Sequence, residues 1–333
     1  MRTADRDLHV LKYFSSVVTV SKGQVINVTE PSLRACPLAS HFYPEFRNAD
    51  PEDPASVKRA VREVIEAKVR NYGFFTDGRS FHFPRCVVPY GASEMLSSAL
   101  KNQFLEAAVV VCDGAGTVIV RSPEIVQGIG ARMNSLIFTS PLKGVLEKLD
   151  QAGCRVISRD TAWIDQPKGV EKALSLGYGK IGVTVTGFAA DQLAQIRELE
   201  QRARAEVTLL AVCTSGISGD KIETIRRHAD LVWACASGEV RERLGPSAKV
   251  QLSKRIPVYA LTDRGVAFAA AYLNDPFLVR CLDLQKQYCV SSGAGLRSPF
   301  SGSLKTQIRE TGSPTDVSNA SCYEPVQSQR GEG

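Results

Sequence analysis

The sequence predicts an α/β fold: an open, mostly parallel sheet with helices on both faces, joined to a small N-terminal α+β portion. Three observations predict it. From about residue 89 onward, short apolar strands alternate with amphipathic helices, the order that βαβ units leave in a sequence. Several of those strands end in small polar residues and glycine, which turn the chain sharply. With 333 residues, 44% of them hydrophobic, the chain can bury one large core or two smaller ones.

Ser16 to Val20 and Val25 to Val28 are β-prone runs joined by Ser21-Lys22-Gly23-Gln24, which reads as a hairpin. A proline-punctuated stretch follows from Pro31 to Pro54. Ser56 then precedes Val57, Ala60, Val61, Val64, Ile65 and Val69, a helical rhythm that stops near Gly73. Beyond it the sequence predicts helices over Glu94–Lys101, Leu142–Ala152, Val170–Leu176, Ala189–Ala203, Gly219–His228, Glu239–Leu244 and Gly265–Leu273. The intervening strands are Ala107–Cys112, Arg155–Ser158, Ile181–Thr186, Val207–Cys213, Leu231–Cys235 and Val258–Leu261. Residues 276–333 turn polar and lose apolar periodicity, so burial there cannot offset the entropy of ordering. The expected organisation is therefore an α+β portion over 1–88, an α/β domain over 89–275 and a mostly disordered polar tail over 276–333.

The charges exclude several function classes. A formal net charge of +6 arises from 41 Lys and Arg against 35 Asp and Glu, spread without a basic block. That mildly favours anionic ligands, but with 7% aromatic residues it does not point to nucleic acid. The N-terminus lacks a signal-peptide core, and no stretch approaches the roughly 20 apolar residues of a membrane helix, so the expected location is the cytoplasm, away from membranes. Nine cysteines, odd in number and irregular in spacing, argue against a disulfide framework and leave core thiols, redox chemistry or metal ligation.

The candidate site is built from strand ends. Ala107 to Cys112 is an apolar run that breaks into Cys112-Asp113-Gly114-Ala115-Gly116, placing a thiol, a carboxylate and flexible backbone at one terminus. Cys213-Thr214-Ser215-Gly216 and Cys235-Ala236-Ser237-Gly238 repeat a C-x-x-G pattern at two further strand ends, and their cysteines lie 22 positions apart, about one β-loop-α unit. A fourth strand ends in Thr184-Val185-Thr186-Gly187. In one parallel sheet these ends share an edge and face a common crevice.

Two readings of the thiols stand side by side. Cys112, Cys213 and Cys235 could hold an iron-sulfur cluster with one iron open to substrate, or each could be a small hydrophobe ending a buried strand. Independently, Thr214, Ser215 and Ser237 offer hydroxyls and backbone N–H groups before helix N-termini, suited to an anion or simply to capping. Pro123 to Arg132 carries a G-x-G with Gln127 before it and Arg132 after it, which reads either as an anion clamp or as a surface turn. Glu94 and Asp165 are further acids near turns, each a candidate base if desolvated and a cap or surface group otherwise.

Several of these motifs occur in one order: Val88-Pro89-Tyr90-Gly91-Ala92-Ser93-Glu94, Val110 to Val118, Pro123 to Arg132, Ile164-Asp165-Gln166 and Lys180 to Thr186. Together with Ala35-Cys36-Pro37-Leu38, this succession resembles the methanogenesis marker protein 8 family over about residues 10–273. The resemblance implies an intracellular protein of methanogenic archaea and some relatives, and it carries no catalytic residues with it. The loop Gly73-Phe74-Phe75-Thr76, where family members carry a cysteine, and the long polar tail are departures from the pattern.

The leading expectation is a protein that binds or converts a small anionic metabolite or coenzyme at the strand-end crevice. In that reading Asp113 is the base or anchor, Gly114 and Gly116 admit the ligand, Arg132 clamps its charge, and Thr184, Thr186, Ser215 and Ser237 donate to it. The alternative, implied by the resemblance and the thiols, is an iron-sulfur or accessory factor that matures an anaerobic metalloenzyme such as methyl-coenzyme M reductase.

Overall fold

The computed structural model describes residues 7–33, 36, 39, 43–84, 87, 88, 90–252, 257–273, 275, 291 and 292. Their strands form two sheets. The first has four strands in the order β3-β2-β1-β6: β1 (His9–Tyr13), β2 (Ser16–Ser21), β3 (Gln24–Val28) and β6 (Ser135–Thr139). The hairpin expected at Ser21-Lys22-Gly23-Gln24 is present, with Lys22 and Gly23 both at positive φ. Across this sheet lies the helix α1 (Pro54–Tyr72), which starts two residues before the expected Ser56 because Asp53 accepts from Ala55 N and Pro54 fits the first turn. Val57, Val61, Val64 and Ile65 of α1 pack with Leu11, Val18 and Val20 in one buried cluster.

The second sheet runs β13-β11-β12-β10-β9-β8-β4-β5-β7. Its heart is β4 (Ala107–Cys112), β8 (Lys180–Thr186), β9 (Glu206–Val212) and β10 (Leu231–Trp233), which pair parallel. The flanks are antiparallel: β5 (Gly116–Val120) and β7 (Arg155–Val156) on one side, β12 (Val258–Ala260), β11 (Val250–Leu252) and β13 (Ser291–Ser292) on the other. The expectation of a mostly parallel sheet is corrected here, since three of the eight pairings among the described residues are parallel. The reason sits at Cys112-Asp113-Gly114-Ala115-Gly116, which is a tight hairpin rather than the start of a crossover: Cys112 pairs with Gly116 and Ala115 N donates to Cys112 O.

Helices do cover both faces. Helices α2 (Ala92–Lys101), α3 (Pro123–Gly130), α4 (Lys143–Gln151) and α9 (Asp263–Leu273) pack through Leu96, Ile129, Leu149 and Phe268 onto one face. Helices α5 (Gln166–Ser175), α6 (Gln192–Ala203), α7 (Gly219–His228) and α8 (Gly238–Leu244) pack through Val170, Ile196, Ile225 and Leu244 onto the other. Alternation along β4 splits its side chains accordingly, Val110 and Cys112 to the first face and Val109 to the second. No described helix is long and apolar enough to cross a membrane. The expected disordered tail lies outside the described residues, except that Ser291 and Ser292 pair with β11.

Candidate functional site

A cavity of about 340 Å³ lies where the carboxyl ends of β8, β9 and β10 meet the four-stranded sheet. Thr184 and Thr186 enter it from β8, Cys213 from the residue after β9 and Cys235 from just beyond β10. Tyr13 at the end of β1 and Ser135 at the start of β6 close it from the other sheet. That is the crevice position expected of ligands in sheets with a parallel heart.

Arg132 follows α3 in the left-handed region, at φ 62°, and its guanidinium lies 5.7 Å from the Tyr43 ring centroid and 5.4 Å from that of Tyr72. It forms no ion pair with a carboxylate among the described residues. Lys68 on α1 fixes the same turn from behind, donating to Arg132 O at 2.7 Å and to Asn134 Oδ1 at 2.5 Å. Lys68 is enclosed between the rings of Tyr13 and Tyr43, and burial, aided by the Arg132 charge, pulls its pKa down to about 7. Among the described residues, Tyr13 Oη and Gln192 Oε1 on the cavity wall are buried without a hydrogen-bond partner. Buried polar atoms are ordinarily satisfied, which sets these two apart from the rest of the interior.

The structure separates the residues expected from sequence into two sets. Arg132, Glu94, Thr184, Thr186, Cys213 and Cys235 share the cavity. Glu94, however, is filled with donors: Oε1 accepts from Val87 N, Val88 N and Gln127 Nε2, and Oε2 from Ser93 Oγ. It organises the entrance to α2, and Gln127 is its support rather than a wall residue.

The others lie elsewhere. Asp113 is fully buried, accepting from Phe75 N at 2.7 Å and Arg79 Nε at 3.0 Å. Gly114 and Gly116 have φ of 78° and 71° and build the hairpin; a Cβ on Gly116 would stand 2.1 Å from Ala162 O. Asp165 and Ser237 cap α5 and α8, accepting from Lys168 N and Val240 N. Thr214 donates to Trp233 O at 2.7 Å, and Ser215 O accepts from Lys12 Nζ. Cys112 is fully buried in the core beneath α2, α3, α4 and α9 and does not line the cavity; it donates to Asp113 O, and burial pushes its thiol pKa well up. The G-x-G at Gly128 and Gly130 is the end of a helix, where a Cβ would strike Phe81 O and Ser93 Cβ.

Two participants escaped sequence reading. Cys36 lines the cavity beside Cys213 and Cys235, although its strand-free, proline-flanked setting gave no sign of it. Lys68 did leave a signal: the 57, 61, 64, 65 rhythm of α1 puts position 68 on the buried face, where a lysine is out of place. Among the described residues no three His, Cys, Asp or Glu side chains are gathered to hold a metal ion.

Two comparisons bear on this geometry. Residues 9–273 match the family described as "Uncharacterized protein conserved in archaea (DUF2099)". An uncharacterised protein of Methanocaldococcus jannaschii is 39% identical over 281 residues, covering 84% of this chain and 92% of its own length. The matched span takes in both sheets apart from β13, together with every residue of the cavity wall.

Proposed function

We propose that this chain, which belongs to the archaeal family DUF2099, binds a small anionic metabolite or coenzyme in the cavity between the parallel strand ends and the four-stranded sheet. The observation that carries the reading is Arg132, a guanidinium with no carboxylate partner among the described residues, set between two aromatic rings on the cavity wall. A planar guanidinium binds carboxylate or phosphate with two parallel hydrogen bonds, and partial desolvation strengthens both. The Thr184 and Thr186 strand end, with Tyr13 Oη and Gln192 Oε1, supplies the polar groups that orient the remainder of the ligand. Asp113 acts one step back in this reading: it holds Arg79, whose Nη2 donates to Gly128 O and Ile129 O at the end of α3, just before Arg132. The resemblance to the methanogenesis marker protein 8 family directs the ligand search to anionic coenzymes of that metabolism.

The test is calorimetric titration with inorganic phosphate, pyrophosphate, citrate and a set of phosphorylated or carboxylated coenzymes. Arg132→Ala should weaken whichever anion binds by at least tenfold, with Arg132→Lys intermediate because it keeps the charge and loses the fork. Equal affinity in wild type and Arg132→Ala would remove the reading.

A further inference from the structure

Of the described residues that line the cavity, only Arg132 and Glu94 are charged at neutral pH. Glu94 is already engaged by four donors, which leaves one cation facing the space. A single guanidinium matches one carboxylate or one phosphate group, whereas diphosphates and tricarboxylates need several cations or a run of free backbone N–H groups. The cavity therefore suits a ligand with one anionic group. A second donor for that group stands nearby in the fold: Tyr13 Oη is buried on the wall without a hydrogen-bond partner among the described residues, and burial keeps the phenol protonated.

Much of the remaining wall is hydrocarbon. Leu96, Val110, Val126, Trp233 and Val258 belong to the core beneath α2, α3, α4 and α9, and each also borders the cavity. The one polar atom of the Trp233 indole is taken, since Nε1 donates to Tyr90 O at 2.7 Å, so the ring offers apolar surface. Cys235 packs against the same core, and burial pushes its thiol pKa up, which keeps it neutral and weakly polar. Several polar side chains of the wall bond to their own surroundings: Gln166 Nε2 donates to Thr184 O, Ser93 Oγ to Glu94 Oε2, and Asn134 Oδ1 accepts from Lys68 Nζ. Tyr13 and Tyr43, beside Arg132, pack instead with the cluster between α1 and the four-stranded sheet, so the polar end and the apolar wall come from different cores. A volume of about 340 Å³ lies at the small end of the range for small-molecule sites, room for one compact molecule.

We infer that the ligand is an amphiphile: one carboxylate or phosphate group held by Arg132 and Tyr13 Oη, and an acyl or aryl body laid against Val110, Val126, Trp233 and Val258. The inference rests on the anion reading of Arg132 and adds what the remainder of the molecule is. It sets aside sugar phosphates, diphosphates and citrate-like acids, whose polar bodies would give up water to this wall without hydrogen bonds in return.

The test uses the full chain carrying Trp163→Phe, which leaves Trp233 as its one tryptophan; Trp163 is half exposed and does not line the cavity. Trp233 fluorescence, checked by calorimetry, is titrated with butyrate, hexanoate, octanoate and decanoate, with 1-octanol, and with citrate and pyrophosphate. Each methylene added to the carboxylate should tighten binding about fourfold until the cavity is full. Octanoate should bind more tightly than citrate or pyrophosphate, and Arg132→Ala should bring it down at least tenfold, to the level of 1-octanol. Val212→Phe, which adds a ring to the apolar wall at the end of β9, should flatten the dependence on chain length and spare butyrate. Should that variant fail to melt cooperatively, the chain-length series on the parent protein decides. Anion binding that does not strengthen with chain length, tighter binding of citrate or pyrophosphate than of octanoate, or an unchanged slope in folded Val212→Phe would overturn this inference and leave the anion reading standing. Equal affinity for octanoate and 1-octanol would instead remove the anion reading, and this inference with it.

Discussion

Arg79 and Asp113 form an ion pair of 3.0 Å in which neither side chain has any exposed surface. Arg79 also lies 3.6 Å from the Phe74 ring centroid and donates to carbonyls of Ser80, Gly128 and Ile129, so the pair ties the 74–80 segment, the β4–β5 hairpin and the end of α3 together. Removing one member strands the other charge, whereas removing both leaves only a packing defect.

Asp113→Ala should therefore lower unfolding stability by about 3–5 kcal/mol, the usual cost of stranding a buried charge. The double variant Arg79→Met/Asp113→Leu should be less destabilised than either single variant. Urea denaturation measures all three. A fully stable Asp113→Ala protein would return Asp113 to the list of candidate bases.

Lys68 predicts a pH dependence with a definite sign. Burial holds its pKa near 7 in the folded state, below the ordinary 10.5, so the unfolded chain binds the proton more tightly. The resulting penalty is complete below about pH 7 and is relieved as pH rises toward 10.5, so this residue makes stability increase with pH across that window. Subtracting the stability curve of Lys68→Met from that of wild type should isolate the rise. A flat difference over the window would mean that Lys68 keeps its ordinary titration.

Gly116 and Gly153 share a left-handed backbone, with φ of 71° and 73°, but not a neighbourhood. A Cβ at 153 meets nothing within 4 Å, while one at 116 collides with Ala162 O. Gly153→Ala should cost about 1–2 kcal/mol from backbone strain alone. Gly116→Ala should add roughly 1–3 kcal/mol of overpacking to that. Thermal melts that rank the two equally would show that the hairpin shifts freely away from Ala162.

Glu94 offers a check on the cavity entrance. Glu94→Gln keeps the shape but replaces one acceptor oxygen with a donor facing backbone N–H groups or Ser93 Oγ. It should destabilise the protein by about 1–3 kcal/mol through an unsatisfied buried group. Loss of ligand binding without loss of stability would instead make Glu94 a direct contact.

The strands and helices with strong periodicity were legible. Ala107–Cys112 and Gly219–His228 match their expected bounds, and β9 and β10 are neighbours as the 22-residue spacing of their cysteines suggested. What stayed hidden was local chemistry with two outcomes. Asp-Gly-Ala-Gly after an apolar strand serves a ligand loop or a hairpin equally well, and only the fully buried β5 that follows settles it. The capped Ser122-Pro123 start of α3 was present in the sequence, but Gly128 and Gly130 resembled a turn because their reason is close packing against Phe81 and Ser93, far away in the chain. Part of the cavity wall was similarly invisible, since Tyr13, Cys36 and Tyr43 reach it from the N-terminal portion, where the sequence suggested no catalytic or binding residue.

The pairing of β1 with β6 joins residues about 125 positions apart, His9 against Thr139 and Lys12 against Ser135. During synthesis the first three strands and α1 therefore leave the ribosome with one sheet edge open, and they wait for β4, β5 and α3 to emerge before that edge is closed. The interval in which that edge can pair with another chain is set by that wait, and a truncated product ending near residue 88 would carry the uncovered strand permanently.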